Sequence, residues 1–321
     1  MQNFLVGNDI RLDIFLSKNL EQSRNQVALL IKNGYVLVNK KIQTKNSFKL
    51  KIGDTVDIKE VILQEKNLKY NVDFDIDILY EDDDVVVLNK PPHLVVHGAK
   101  SVKEATLVDW LMQKNYTLSN LGGELRAGLV HRLDKQTSGA IVIAKNNYSH
   151  KILSEQLKDK SMGRIYLALI NLPLKQDKII IQKFLMRSPS NPIKKIAINE
   201  ELTCAKSAKS AFVNLMINDE FCLIGAKLFT GRTHQIRAHL ASLNRYILGD
   251  YLYGYKGRND LRVMLHAYIL YFIHPRTKEM LLINAPLMDD FKKVLFKKYT
   301  LGELDEKISV QVLFSLFNSF V

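Results

Sequence analysis

The segment 128–145, GLVHRLDKQTSGAIVIAK, sets a carboxylate among cations. Two apolar runs read as strands, residues 128–130 and 140–144, flank a polar connection that holds His131, Arg132, Asp134, Lys135, Thr137 and Ser138 and ends at Gly139. Cationic neighbours favour the ionised form of a carboxylate. An ionised, positioned carboxylate suits nucleophilic or general-base work. The hydroxyls of Thr137 and Ser138 can bond the turn backbone and fix the loop, and Gly139 allows backbone geometry that other residues resist. On these residues alone a structural ion pair is the favoured reading, because such pairs also perturb titration. Tyr166, inside an apolar run, suits a core strand as well as it suits a stacking surface. Arg237 stands two residues before His239, which allows a helix face pointing inward. His234, His239, His266 and His274 have no carboxylate partner at a typical ligand spacing, so no metal is expected.

The elements that must position these residues are short. Residues 76–80 read as a strand, 81–84 as an acidic turn and 85–89 as a β-branched strand. From there to residue 298, apolar runs such as 140–144 and 164–170 alternate with a few helical segments. This predicts a mixed domain on a largely antiparallel sheet. After Tyr299, Val310, Leu313, Phe314 and Phe317 share a helix face that is expected to pack on that domain. Ahead of it, Leu12, Phe15, Leu16 and Leu20 have helical spacing. Ser23 is placed to cap a second helix carrying Val27, Leu30 and Ile31, which stops at Gly34. Strands 35–38 and 55–58 follow, with turns at Asn39-Lys40-Lys41 and Gly53-Asp54. The expected organisation is α+β, with a small module at 1–60, a linker at 61–75, a catalytic domain at 76–298 and a helical extension at 299–321.

Composition narrows the partners. Lys and Arg total 46 against 33 Asp and Glu, a formal charge of +13 and a pI near 9.5. A surplus of that size favours a polyanion, of which nucleic acid is the commonest. Cys204 and Cys222 form no C-x-x-C motif, which fits a reduced, cytoplasmic protein. No 18-residue apolar run is present and residues 1–10 do not read as a signal peptide, so neither membrane insertion nor export is expected.

Two sets of motifs carry resemblances. Arg11-Leu12-Asp13, Ser23-Arg24, the stretch 30–34 (LIKNG), the stretch 36–40 (VLVNK) and Gly53-Asp54 resemble the alpha-L RNA-binding domain, the type named after small-subunit ribosomal protein four. The resemblance covers residues 9–59 and implies that Arg11, Arg24, Lys32, Lys40 and Lys41 face folded RNA. His131-Arg132-Leu133-Asp134 with Thr137-Ser138-Gly139 resembles the signature of the RluA/RluC/RluD family of pseudouridine synthases. Lys90-Pro91-Pro92, Val96-His97, Tyr166-Leu167-Ala168-Leu169, TGRTHQIRAHL at 230–240, Leu248-Gly249-Asp250 and Leu265-His266-Ala267 match further motifs in family order.

That resemblance implies a role for each matching position. Asp134 corresponds to the aspartate that assists cleavage of the uridine glycosidic bond. Tyr166 corresponds to the tyrosine that lies against the base and helps remove a proton, and Arg237 to the arginine paired with the aspartate. His131 and Arg132 sit beside the flipped nucleotide, and Thr137 and Leu265 belong to its pocket. A uridine inside a helix must leave its stack to be reached, and His131 or Arg132 could fill the space. The isomerisation needs no cofactor. The implied substrate is structured RNA, 23S ribosomal RNA above all, acted on by a monomer.

The chain departs from the family at Pro92-His93, at Gly98 and at Arg126-Ala127, which bears on loop rigidity and substrate preference. Three rivals remain. A transfer-RNA synthase of the same family is disfavoured by the N-terminal module, and a non-catalytic rRNA-binding assembly factor by the complete Asp134, Tyr166 and Arg237 set. A glycosidase-like hydrolase needs a second carboxylate as acid, and none is evident.

Overall fold

The computed structural model describes residues 2–20, 24–59, 70–99, 102–258 and 260–318. Ser23, expected to cap a helix, and residues 61–69 of the expected linker lie outside them. The N-terminal module comprises β1 (Gln2–Leu5), β2 (Ile10–Arg11), α1 (Leu12–Asn19), α2 (Arg24–Lys32), β3 (Val36–Val38), β4 (Lys41–Ile42), β5 (Lys49–Leu50) and β6 (Thr55–Ile58). Its sheet runs β1-β6-β3-β4, and β2 pairs with β5. Strands β1, β2, β4 and β5 are not evident in the sequence, because runs of two to four residues are too short to show alternation. Leu12, Leu16, Val27, Leu30 and Ile31 form the buried face of the two helices, as their spacing predicts, and pack on Val36, Val56 and Ile58. Leu121 of the next domain completes this small core, and the Asn120 side chain donates to the Lys59 carbonyl at 3.2 Å. The module is therefore seated on the catalytic domain through apolar contact.

The larger domain begins with β7 (Asp77–Glu81), β8 (Val85–Lys90), α3 (Leu107–Gln113), β9 (Ser138–Ala144), α4 (Asn147–Asp159) and β10 (Gly163–Ile170). It continues with β11 (Lys178–Arg187), β12 (Lys195–Ile198), β13 (Lys206–Ile217), β14 (Cys222–Leu228) and α5 (Gln235–Ala241). β15 (Leu265–Ile273), β16 (Met280–Asn284), α6 (Asp289–Leu295), α7 (Leu301–Ile308) and α8 (Val310–Asn318) close it. One sheet runs β12-β11-β13-β14-β10-β15-β9-β8-β7, with β16 beside the far half of β15.

The architecture is α+β and largely antiparallel, as expected. Among the described residues the one parallel pairing is β9 with β15, where Ser138 faces His266 and Gly139 faces Ala267. Gly139 has φ 108° and a Cβ there would stand 2.3 Å from the Ala267 carbonyl, so only glycine permits this approach. The approach brings the loop before β9 against the start of β15. Strands β8, β9 and β10 are buried throughout, which explains their continuous apolar runs. Helices α3, α6, α7 and α8 cover one face and α4 the other. In the tail, Leu313 and Phe317 are fully buried in the main core, and Val310 and Phe314 pack against it.

Candidate active site

The expected strand at 128–130 is only an isolated bridge, Leu129 to Ile143, and the loop between it and β9 carries Asp134. The Thr137 amide donates to the Asp134 carbonyl at 3.1 Å and closes the turn. Beneath it lies Lys90, wholly buried at the end of β8. Its ammonium donates to the carbonyls of Pro91, Leu94 and Lys135 at 2.7, 3.0 and 3.2 Å. Three acceptors satisfy its three donors, and one of them belongs to the residue after Asp134. Burial, helped by the nearby Arg262 guanidinium, pulls this ammonium down to about 7. Arg262 supports the same turn from the other side, donating to the carbonyls of Gln136 at 3.1 Å and Leu265 at 3.2 Å while held by Asp290.

Ser138 does not bond the turn backbone as the sequence suggested. Its hydroxyl sits 2.8 Å from His266 Nδ1, whose Nε2 is 3.1 Å from the Ala285 carbonyl. The carbonyl can only accept, so Nε2 carries the proton and Nδ1 takes the serine hydrogen. Burial pushes His266 down to about 4 and keeps it neutral. The bond straddles the parallel β9–β15 contact and thus locks the loop base.

Helix α5 supplies the opposing cation. Arg237 points inward and donates two bonds to Asp250, at 2.7 and 2.8 Å. Its guanidinium lies 4.8 Å over the Tyr253 ring, and its Nη1 stands 3.6 Å from Asp134 Oδ2. Burial works against the Arg237 charge, but the Asp250 pairing prevails and raises its pKa. A bidentate pair fixes the guanidinium plane, so Asp250 decides where Arg237 points. The sequence motif contains Asp250 but assigns it no role, since nothing local reveals the pairing. His234, at φ 57° just before α5, places Nε2 3.8 Å from Asp134 Oδ2.

Tyr166 on β10 and Leu265 at the start of β15 are both buried and complete a cleft of about 570 Å³ lined also by Asp134, Arg237, Thr137 and Arg132. Burial raises the Tyr166 phenol pKa; the nearby Arg164 guanidinium pulls the other way. The two residues expected to fill a vacated stack differ. The His131 ring is turned into the sheet, where its Nε2 accepts the Val142 amide at 3.2 Å, and burial holds it well below its ordinary pKa. Arg132 is exposed, its Nη1 3.2 Å from His97 Nε2, so of the two it is the one that projects.

The N-terminal cations lie outside the cleft. Arg11 and Arg24 both pair with Asp13, at 3.0 and 2.5 Å. Burial disfavours the Asp13 charge, and the two guanidinium groups more than reverse that, holding its carboxyl below the usual range. Arg24 therefore staples α2 to α1 and Arg11 secures the start of α1, while both also face solvent. Lys32, Lys40 and Lys41 are exposed.

Among the described residues, one group has metal-ligand proximity: Asp82, Asp84 and His274. Arg276 holds Asp84 with two bonds at 2.6 and 2.9 Å. His274 Nδ1 accepts the amides of Arg276 and Thr277, which puts the ring proton on Nε2, 2.8 Å from Asp82. Its ligand atoms are thus already engaged in an ion-pair cluster that joins the β7–β8 turn to the β15–β16 hairpin.

Comparison with known proteins gives the following likenesses. Residues 84–242 match the family model described as RNA pseudouridylate synthase, and residues 10–56 match the S4 domain. A Helicobacter pylori (strain 26695) protein called an uncharacterized RNA pseudouridine synthase is 50% identical over 312 residues, covering 96% of this chain and 95% of the relative. The Neisseria meningitidis protein named ribosomal large subunit pseudouridine synthase D is 35% identical, covering 93% of this chain and 81% of its own. Human RNA pseudouridylate synthase domain containing 4 shares the fold, with a TM-score of 0.55 and 23% identity over 68% of this chain and 92% of that one.

Proposed function

This chain belongs to the RNA pseudouridine synthase family, and from that premise we propose that it isomerises specific uridines of large-subunit (23S) ribosomal RNA in the cytoplasm. The observation that carries the reading is Asp134, held between the Arg237 guanidinium and the Tyr166 wall of a nucleoside-sized cleft in a chain that also bears an S4 domain. The target uridine leaves its stack and Arg132 enters the gap. The uracil lies between Tyr166 and Leu265. The Asp134 carboxylate assists breakage of the N1–C1′ bond, acting at the sugar as nucleophile or as base. The base turns, C5 bonds to C1′, the proton leaves C5 with the help of the Tyr166 hydroxyl, and N1, freed from the sugar, takes up a proton in its place. The product is an isomer of the substrate, so the residues named need only position groups, move protons and, where Asp134 attacks the sugar, form and release one covalent bond.

The large-subunit assignment draws on the N-terminal module and on the name of the Neisseria relative. Mapping pseudouridines in rRNA and tRNA from cells with and without the protein tests it. One or more 23S sites should disappear. Loss confined to tRNA refutes the rRNA assignment, and purified protein that forms no pseudouridine in either RNA refutes the activity.

The S4 module supplies affinity rather than chemistry. Because Arg11 and Arg24 also hold the module together, Lys32, Lys40 and Lys41 test this more cleanly. Changing all three to Gln in the full chain should weaken rRNA binding and flatten its salt dependence by roughly 2–3 units of log–log slope. Single-turnover modification at saturating RNA should be unchanged. An unaltered slope means the three lysines touch no phosphate.

A further inference from the structure

Arg164, the second residue of β10, is a guanidinium that the fold buries without giving it an acid. It is 7% exposed and its Nε has no hydrogen-bond partner. Among the described residues it has no carboxylate in ion-pair range; the groups that feel its charge are the rings of His131, Tyr166 and Tyr271. The guanidinium lies against the loop that follows β14, where a Cβ on Gly231 would stand 3.2 Å from Nη2. A buried charge without a counter-ion is strongly unfavourable. It persists where a ligand supplies the missing charge, and Arg164 lines the same cleft as Asp134 and Tyr166.

Its surroundings indicate which ligand. Lys160, Lys227 and Arg232 line that cleft too. Lys227 is half-buried, and desolvation pulls its ammonium down. A neutral uracil has no use for a cationic wall, whereas the backbone that carries it brings a phosphate on each side. Guanidinium and phosphate match as planar fork to paired oxygens.

We propose that Arg164 binds a backbone phosphate of the extruded uridine, resting on the functional reading above. With Tyr166 two residues along the same strand, β10 then grips the nucleotide at both ends, base and phosphate, and sets its sugar over Asp134.

The test uses synthetic rRNA stem-loops carrying a uridine that the protein modifies. Either the 5′ or the 3′ phosphate of that uridine is replaced by a neutral methylphosphonate. Binding and single-turnover rates are measured for the wild type, Arg164→Lys and Arg164→Met. One of the two linkages should cost the wild type about ten- to a hundredfold in binding. Arg164→Met should show that loss on native RNA and none further on the neutral linkage. Arg164→Lys should recover much of the loss. If the Met variant is misfolded by circular dichroism, Arg164→Gln takes its place in the cycle. Losses that multiply at both linkages overturn the proposal. So does an Arg164→Met protein that binds like the wild type yet turns over slowly, which assigns Arg164 to the Tyr166 hydroxyl alone. A wild type that modifies no rRNA uridine defeats the functional reading itself; an active wild type with multiplying losses defeats only the phosphate assignment.

Discussion

Asp134→Asn abolishes pseudouridine formation and leaves the RNA bound. Both routes open to this residue, attack on the sugar and removal of a sugar proton, draw on a carboxylate lone pair that the amide lacks. Loss of such a group costs about 10⁴-fold or more in rate. The substitution keeps size, and the scaffold around it does not depend on the charge. Arg237 is already held at two points by Asp250, so its position does not depend on Asp134. The turn closes through the Asp134 backbone carbonyl, and the loop is anchored by Lys90 through the Lys135 carbonyl. Removing a negative charge beside incoming phosphates should leave affinity equal or slightly higher. Single-turnover assays and filter binding on the same RNA decide the matter. Multiple turnover by a contaminant-free Asn variant ends the assignment.

Tyr166 should separate into two roles. Its ring can stack on the uracil, worth roughly 1–3 kcal/mol per base, and its hydroxyl can carry a proton, worth about 10²–10⁴ in rate. The residue is 4% exposed and faces the cleft beside Leu265, as stacking requires. Burial opposes the phenolate, and the nearby Arg164 charge favours it. If the hydroxyl moves a proton, Tyr166→Phe binds RNA almost normally and turns over at least about a hundredfold more slowly. Tyr166→Leu is as slow and binds less well. If stacking is the whole role, Phe is within a few-fold of wild type and only Leu fails. Three single-turnover rates on one RNA distinguish these outcomes, and the first is expected.

Much of the candidate site is legible in the sequence. The loop carrying Asp134 is bracketed by two apolar runs, so a carboxylate at a strand end can be read directly. The order of the motifs points to Tyr166, Arg237 and Leu265, and the fold places all of them with Asp134 in one cleft. The two N-terminal helices are legible because Leu12, Leu16, Val27, Leu30 and Ile31 recur at helical spacing. Elsewhere the fold departs from what local pattern suggests. Ser138 turns from the loop backbone to His266, 128 positions away. His131 turns into the sheet, leaving Arg132 as the exposed member of that pair. Arg11 and Arg24, expected to face RNA, are also bound to Asp13.

What the sequence determined by itself is the inventory: which residues can do chemistry, the local periods that make helices and strands, and the surplus of positive charge that favours RNA. These are properties of neighbours along the chain, so adjacency alone reveals them. The supports of the site were decided only by tertiary structure. Lys90 reaches the carbonyl of Lys135 45 positions on, Arg262 reaches that of Gln136 across 126, and Arg237 is aimed by Asp250 across a loop. Arg164 looks in sequence like any cation at the edge of a strand. Its burial without an acid follows from how β10, the loop holding Gly231 and the ring of Tyr166 come together. Burial and pairing depend on distance through space, and folding alone sets that distance.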